Sequence, residues 1–158
     1  MKAIFACGCF WGVQHHFRRQ PGVLDTVVGY TGGTEDSPTY KQVKAHATHH
    51  VEAIEVSYDP TVVTYKALCQ LFFELHDPAQ TDGIGPDLGP QYRSVIFPLN
   101  DDQRQVAQSV IDDLRSRGYV VNTELRPAVT FWPAEDYHQD YFEKNGVVDF
   151  CHVRERKF

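Results

Sequence analysis

Cys9 stands in the string Gly8-Cys9-Phe10-Trp11-Gly12, a thiol followed by two aromatic residues and flanked by glycines that let other segments approach closely. Lys2–Cys7 before it reads as a buried strand, and Phe10–Arg19 after it reads as a helix stopped by Pro21 and Gly22. The thiol therefore falls at a helix N-terminus, where unpaired N–H groups and the helix dipole favour the thiolate, the nucleophilic form. Phe10 and Trp11 can wall an apolar pocket whose rings also contact sulfur favourably, which suits a thioether-like ligand. Taken alone, the pentapeptide reads equally well as a structural cysteine among core aromatics.

Glu52 is the second residue with chemistry to offer. His50–Tyr58 alternates as a strand, with His50, Glu52, Ile54, Val56 and Tyr58 on one face and Val51, Ala53, Glu55 and Ser57 on the other. The first face is the more apolar, so Glu52 is expected among core-facing neighbours. Desolvation there raises a carboxyl pKa toward the range in which it donates a proton near neutrality. A carboxylate paired across the sheet is the alternative. Tyr40 and Tyr92 read by themselves as half-buried tyrosines, and Asp87 as a residue bonding its own backbone in a Gly-rich turn.

Four further blocks follow the cysteine pentapeptide in order: Pro38-Thr39-Tyr40, His50-Val51-Glu52-Ala53, Gly85-Pro86-Asp87-Leu88-Gly89-Pro90-Gln91-Tyr92-Arg93-Ser94, and Ala134-Glu135-Asp136-Tyr137-His138-Gln139. Together they resemble the A-type peptide methionine sulfoxide reductases, over nearly the whole chain from Ala6 to Cys151. The resemblance implies that Cys9 attacks the sulfur of an S-configured methionine sulfoxide, free or in a protein, with Phe10 and Trp11 around its terminal methyl. It implies Glu52 as proton donor, Tyr40 and Tyr92 as the hydroxyls holding the sulfoxide oxygen, and Asp87 as support for substrate backbone and pocket. It further implies a Cys9 sulfenic acid, a disulfide with the resolving residue Cys151, and reduction by thioredoxin, or by dithiothreitol in vitro, with no metal and no bound cofactor. That chemistry is coherent, because a sulfoxide oxygen leaves poorly until protonated and needs donors that polarise its bond to sulfur.

The chain departs from the family pattern in places. Cys7 adds a thiol two residues before Cys9, Gln14 stands where an acidic residue is common, and His49 replaces a frequent glycine. Thr81-Asp82-Gly83-Ile84 is less basic and amide-rich than usual, and the tail lacks the glycine-tyrosine pair often seen before its cysteine. Cys69 falls on a helix face with Tyr65, Phe72 and Phe73 and reads as a small core residue. Two rival functions stand beside this one. His50-Val51-Glu52 matches the H-x-E of zinc deaminases, but the partner P-C-x-x-C is absent. A non-catalytic module that binds methionine-rich peptides through Phe10, Trp11 and the tyrosines is the other.

The elements that must position these groups fit one unit. At 158 residues the chain has room for a single domain, 1–158, and 42% hydrophobic with 23% charged residues is an ordinary globular mixture. The 15 basic and 21 acidic residues give a net charge of -6, which repels nucleic acid and anionic membranes alike. No apolar run is long enough to span a bilayer, and four cysteines are too few for a disulfide scaffold, so a reducing, cytoplasmic setting is expected; a monomer is the accompanying expectation. Val23–Tyr30 reads as a strand, Pro38–Ala47 as a short helix, and Thr64–Leu75 as a helix capped by Thr64. His76–Pro90 reads as an unpatterned loop, Gln91–Phe97 as a strand, and Asn100–Arg117 as a helix ended by Gly118. Tyr119–Trp132 reads as extended and Pro133–Glu143 as a last short helix, followed by an irregular tail, 146–158, flexible enough to swing Cys151 toward the site. Interleaved strands and helices without phosphate-loop glycines predict an α+β two-layer sandwich with a mixed sheet; the resemblance makes its plan ferredoxin-like.

Overall fold

A computed structural model describes residues 1–84, 87–146 and 152–158. Strand β1 (Lys2–Cys7) leads into helix α1 (Phe10–Arg18), strand β2 (Val23–Thr31), helix α2 (Tyr40–Lys44), strand β3 (Val51–Tyr58) and helix α3 (Tyr65–Glu74). A small hairpin of β4 (Gly83–Ile84) and β5 (Asp87–Leu88) precedes a 3-10 turn at Pro90–Tyr92, strand β6 (Ser94–Phe97) and helix α4 (Asp101–Ser116). Two-residue strands β7 (Glu124–Leu125) and β8 (Trp132–Pro133), a 3-10 turn at Asp136–His138 and helix α5 (Tyr141–Asn145) complete the order. The main sheet runs β7-β6-β1-β3-β2-β8, antiparallel throughout except for the parallel pair β6-β7, so the fold is α+β with a mixed sheet.

Period-two alternation divides the sheet into two faces. Ala3, Phe5, Cys7, Val28, Tyr30, Ile54, Val56 and Tyr58 join the large core formed with Phe10, Val13 and Phe17 of α1 and the apolar sides of α3 and α4. Ile4, Ala6, Val51, Ala53, Val95 and Phe97 form a smaller cluster on the opposite face, covered by Ala128 and Phe131. Thr64 and Asn100 cap their helices by accepting the N–H groups of Ala67 and Gln103, as Thr and Asn at those positions are expected to do.

Three expectations need correction. The strand expected from Gln91 begins only at Ser94, because Gly89 at φ 135 and Pro90, which lacks an N–H, fold the chain into a tight turn closed by the Tyr92 N–H to the Gly89 carbonyl. Tyr92 therefore stands on a turn and not in the sheet. The extended stretch 119–132 contributes only two-residue strands, since Pro127 and Pro133 withhold ladder donors. The expected helix from Pro133 is split into the Asp136–His138 turn and α5: Asp140, at φ 54, breaks the helical path. The preceding Gln139 instead bonds its amide to both the N–H and the carbonyl of Val28. Gly29 permits this docking, because a Cβ there would lie 2.3 Å from the Trp132 carbonyl oxygen.

The final residues, 152–158, have no regular secondary structure but are held along the end of α3. The Glu74 carboxylate accepts from Arg154 at 2.9 Å and from the Lys157 backbone at 3.0 Å, while the Lys157 ammonium donates to the Phe73 carbonyl.

Candidate active site

Cys9 is the N-cap of α1, reached through Gly8, whose φ of 96 lies in the left-handed region that favours glycine. The sulfur-bearing residue is half-buried, whereas Phe10 is 1% exposed. Glu52 projects from the helix-covered face of β3, itself 1% exposed, and its Oε1 accepts the Phe10 N–H at 3.3 Å. A carboxyl group is thus hydrogen-bonded to the residue directly following the thiol, at the positive end of a nine-residue helix that has no acidic residue in its own first turn.

Tyr40 opens α2 and Tyr92 ends the 3-10 turn, two elements that approach from different directions. Burial raises both phenol pKa values well above the ordinary range, and the charges of Glu52 and Cys9 push each further the same way. Both hydroxyls therefore remain protonated donors and share one neighbourhood with the thiol and the carboxyl. Around them stands an aromatic wall. The Phe10 ring lies 6.3 Å from Tyr40 and 5.7 Å from Tyr30, and Trp11 stacks on Tyr141 at 3.9 Å.

The Asp87 backbone pairs with Ile84 in the β4-β5 hairpin; the Asp87 side chain, and Cys151 entirely, lie outside the described residues. Cys7 is buried in the large core. Cys69 is buried as well, which pushes its thiol up to about 12 and leaves it inert despite a hydrogen bond with Tyr65 that acts in the opposite direction. His50 does not behave as a metal ligand: its Nδ1 accepts the Gly33 N–H and its Nε2 donates to the Glu35 carbonyl, so both ring nitrogens are committed. Among the described residues no three His, Cys, Asp or Glu side chains gather as a metal site.

Two further residues stand at the site: His138, which the sequence suggests only as a structural hydrogen bonder, and Glu135. His138 is fully buried, packs against Tyr40 at 4.3 Å, and accepts the Trp11 indole N–H on Nδ1 at 2.9 Å. The ring proton therefore sits on Nε2, and burial keeps this imidazole below its ordinary pKa, with the Glu135 charge opposing. The Glu135 carboxylate accepts the Tyr30 hydroxyl at 2.9 Å and the Tyr40 backbone N–H at 3.2 Å. The block Ala134–Gln139 was the only signal in the sequence for either.

The arrangement can direct a thiolate, an acid and two phenolic donors at one polar atom held beside an aromatic pocket, which is what removal of a sulfur-bound oxygen requires. Comparison with known proteins agrees. The family model described as "Peptide methionine sulfoxide reductase" matches residues 1–158. The peptide methionine sulfoxide reductase MsrA of Nocardia farcinica is 50% identical over 156 residues, spanning 96% of this chain and 88% of its own. The crystal structure of Mxr1 from Saccharomyces cerevisiae in reduced form is 36% identical with a TM-score of 0.91, covering 98% of this chain and 91% of that one. Mxr1 in complex with Trx2 is also similar, at 24% identity and a TM-score of 0.66, over 98% of this chain and 88% of that one. The chain belongs to the peptide methionine sulfoxide reductase family, oxidoreductases that return methionine sulfoxide to methionine.

Proposed function

We propose that Cys9 is the nucleophile of this reductase, with Glu52 as its proton donor, and that the substrate is the S epimer of methionine sulfoxide, free or in proteins. The observation that carries this assignment is the Glu52 carboxyl bonded to the Phe10 N–H, one residue from the thiol and near enough to Tyr40 and Tyr92 for its charge to raise both phenols. The helix N-terminus favours the Cys9 thiolate, which attacks the sulfoxide sulfur. Glu52 delivers a proton to the oxygen while the Tyr40 and Tyr92 hydroxyls polarise it. The oxygen passes to Cys9 as both its bond to the substrate sulfur and the new bond between that sulfur and Cys9 break; methionine leaves and Cys9 becomes a sulfenic acid. Phe10 and Trp11 hold the terminal methyl, and Asp87 supports the substrate backbone.

Cys151 then attacks the Cys9 sulfur. An S–S bond forms, the sulfenic oxygen departs as water, and a dithiol must reduce the disulfide to two thiols. Thioredoxin is the reductant we assign, in keeping with the Mxr1–Trx2 complex. Neither a metal nor a bound cofactor enters this cycle. The core order β1-α1-β2-β3-α3-β6, with sheet neighbours β6-β1-β3-β2, supports a ferredoxin-like plan for 1–158 as a single catalytic domain. We assign the protein to the cytoplasm, on the reducing chemistry it needs.

Incubating the protein and dithiothreitol with each separated epimer of an N-acetylated methionine sulfoxide amide tests the assignment. Conversion of the S epimer alone, abolished by Cys9→Ser, is expected. Conversion of neither epimer, or unchanged conversion by Cys9→Ser, overturns it.

A further inference from the structure

Tyr40 carries a hydroxyl assigned to the sulfoxide oxygen, yet α2, the helix that bears it, is only five residues long. A helix so short cannot hold a side chain still through its own hydrogen bonds, because its nucleation is unfavourable and nearly all its end groups lack intrahelical partners. Thr39 and Gln42 close a reciprocal capping box over its start, which fixes the Thr39 and Gln42 N–H groups. The Tyr40 N–H goes elsewhere, to Glu135 Oε2 at 3.2 Å.

The other carboxylate oxygen of Glu135 accepts the hydroxyl of Tyr30 at 2.9 Å. Tyr30 is fully buried in β2 and lies directly across the sheet ladder from Glu52. Glu135 in turn is fixed by its neighbours: Ala134 donates to the Val28 carbonyl, and the Gln139 side chain takes both backbone groups of Val28. One carboxylate therefore ties the backbone of Tyr40 to the strand position facing the acid Glu52. Its hydrogen bonds keep it ionised, outweighing the opposing effect of burial.

We infer that Glu135 is a positioning residue for the reaction, setting the distance between the Tyr40 hydroxyl and the Glu52 carboxyl through the rigid Tyr30 ring. This rests on the assignment of Tyr40 to the sulfoxide oxygen. Leu at position 135 has a similar volume and no acceptor, so both ties are lost, whereas Gln could keep its oxygen on the Tyr40 N–H and donate to the Tyr30 oxygen. A displacement of α2 by even a fraction of an ångström would misplace a transition-state hydrogen bond, because such donors act only in a narrow range of distance.

The test is single-turnover reduction of the S-sulfoxide substrate with enzyme in excess, which isolates the first step from recycling. Glu135→Leu is expected to slow it about tenfold. The same substitution in a Tyr40→Phe background is expected to change the rate less than twofold, since the hydroxyl it positions is gone. Tyr30→Phe, which removes one tie and keeps the carboxylate, provides a milder variant should Glu135→Leu fold poorly; a loss of two- to threefold, again vanishing beside Tyr40→Phe, is expected. Equal factors in both backgrounds for either variant, or a wild-type rate for Glu135→Leu, overturn the inference while leaving Tyr40 in place. A wild-type rate for Tyr40→Phe alone overturns the assignment of Tyr40, and the inference with it.

Discussion

The carboxyl of Glu52 and the backbone N–H of Phe10 meet at 3.3 Å across 42 residues of chain, in a contact buried from solvent. The contact joins the start of strand β3 to the first turn of helix α1. It sets the acid relative to the thiol by covalent geometry, since Phe10 is bonded to Cys9. The same bond consumes one of the N–H groups that a helix leaves unsatisfied at its start.

Glu52→Gln preserves the shape and the acceptor for the Phe10 N–H but cannot give up a proton. On the proposed assignment, single-turnover reduction slows by about 10²- to 10⁴-fold, the range of general acid catalysis, while the urea midpoint shifts little. Rapid-quench measurement of methionine formation checks this. A loss smaller than threefold would show that the proton comes from elsewhere.

Cysteine reactivity gives a chemical fingerprint of the site. Cys69, with its thiol pushed up to about 12 by burial, is expected to resist iodoacetamide near neutrality, and Cys69→Ala to retain full turnover. Cys9, half-buried at a helix N-terminus, is expected to alkylate first. Peptide mapping of the protein after brief labelling distinguishes them, and preferential labelling of Cys69 would contradict this account.

Trp11 is held in two ways, by stacking on Tyr141 and by its indole N–H on His138. Trp11→Phe keeps an aromatic face but leaves the buried Nδ1 of His138 without its donor, at a cost of about 1 to 3 kcal/mol. The expected kinetic signature is a KM for the sulfoxide raised several-fold with a smaller change in kcat, because the pocket grips the methyl equally in ground and transition states. Initial-rate measurements with dithiothreitol over a range of substrate concentrations decide this; an unchanged KM would place the methyl elsewhere.

What the sequence made legible depended on how local the cause was. The junction at Cys9 follows from an apolar run, a glycine and a helical period within a dozen residues, and the face occupied by Glu52 follows from simple alternation along β3. Tyr40 and Tyr92 carry no such signal, since a five-residue helix and a 3-10 turn leave no periodicity to read. They entered only through the resemblance of their flanking motifs. The partners of Glu135 and His138 went unread because they lie 105 and 127 residues away in the chain, at Tyr30 and Trp11. The short strands of 119–133 were misread for a related reason: their pairing is imposed by β6 and β2, not by any β-propensity of their own.

His76 ties acid stability to this same architecture. It is buried behind α3, donates from Nδ1 to the Phe72 carbonyl at 2.8 Å, and accepts the Ser94 hydroxyl on Nε2 at 2.7 Å. Burial drives its pKa from 6.5 down to about 3, assisted by the charges of His152 and Lys157 and opposed by the hydrogen bond to Phe72. Between those two values the unfolded chain binds a proton that the folded chain refuses, so the contribution of this group to stability is complete above about 6.5 and declines as pH falls. At 1.36 kcal/mol for each unit, the loss from pH 6.5 to 4.5 amounts to about 2 to 3 kcal/mol. Ser94 begins β6, which pairs with β1 at Cys7, and protonation of His76 removes the acceptor of the Ser94 hydroxyl. His76→Gln retains an amide donor for Phe72 and removes the titration. Urea unfolding at several pH values is expected to show a wild-type acid limb steeper than that of His76→Gln by this amount. Parallel limbs for the two proteins would mean that the imidazole titrates normally in the fold.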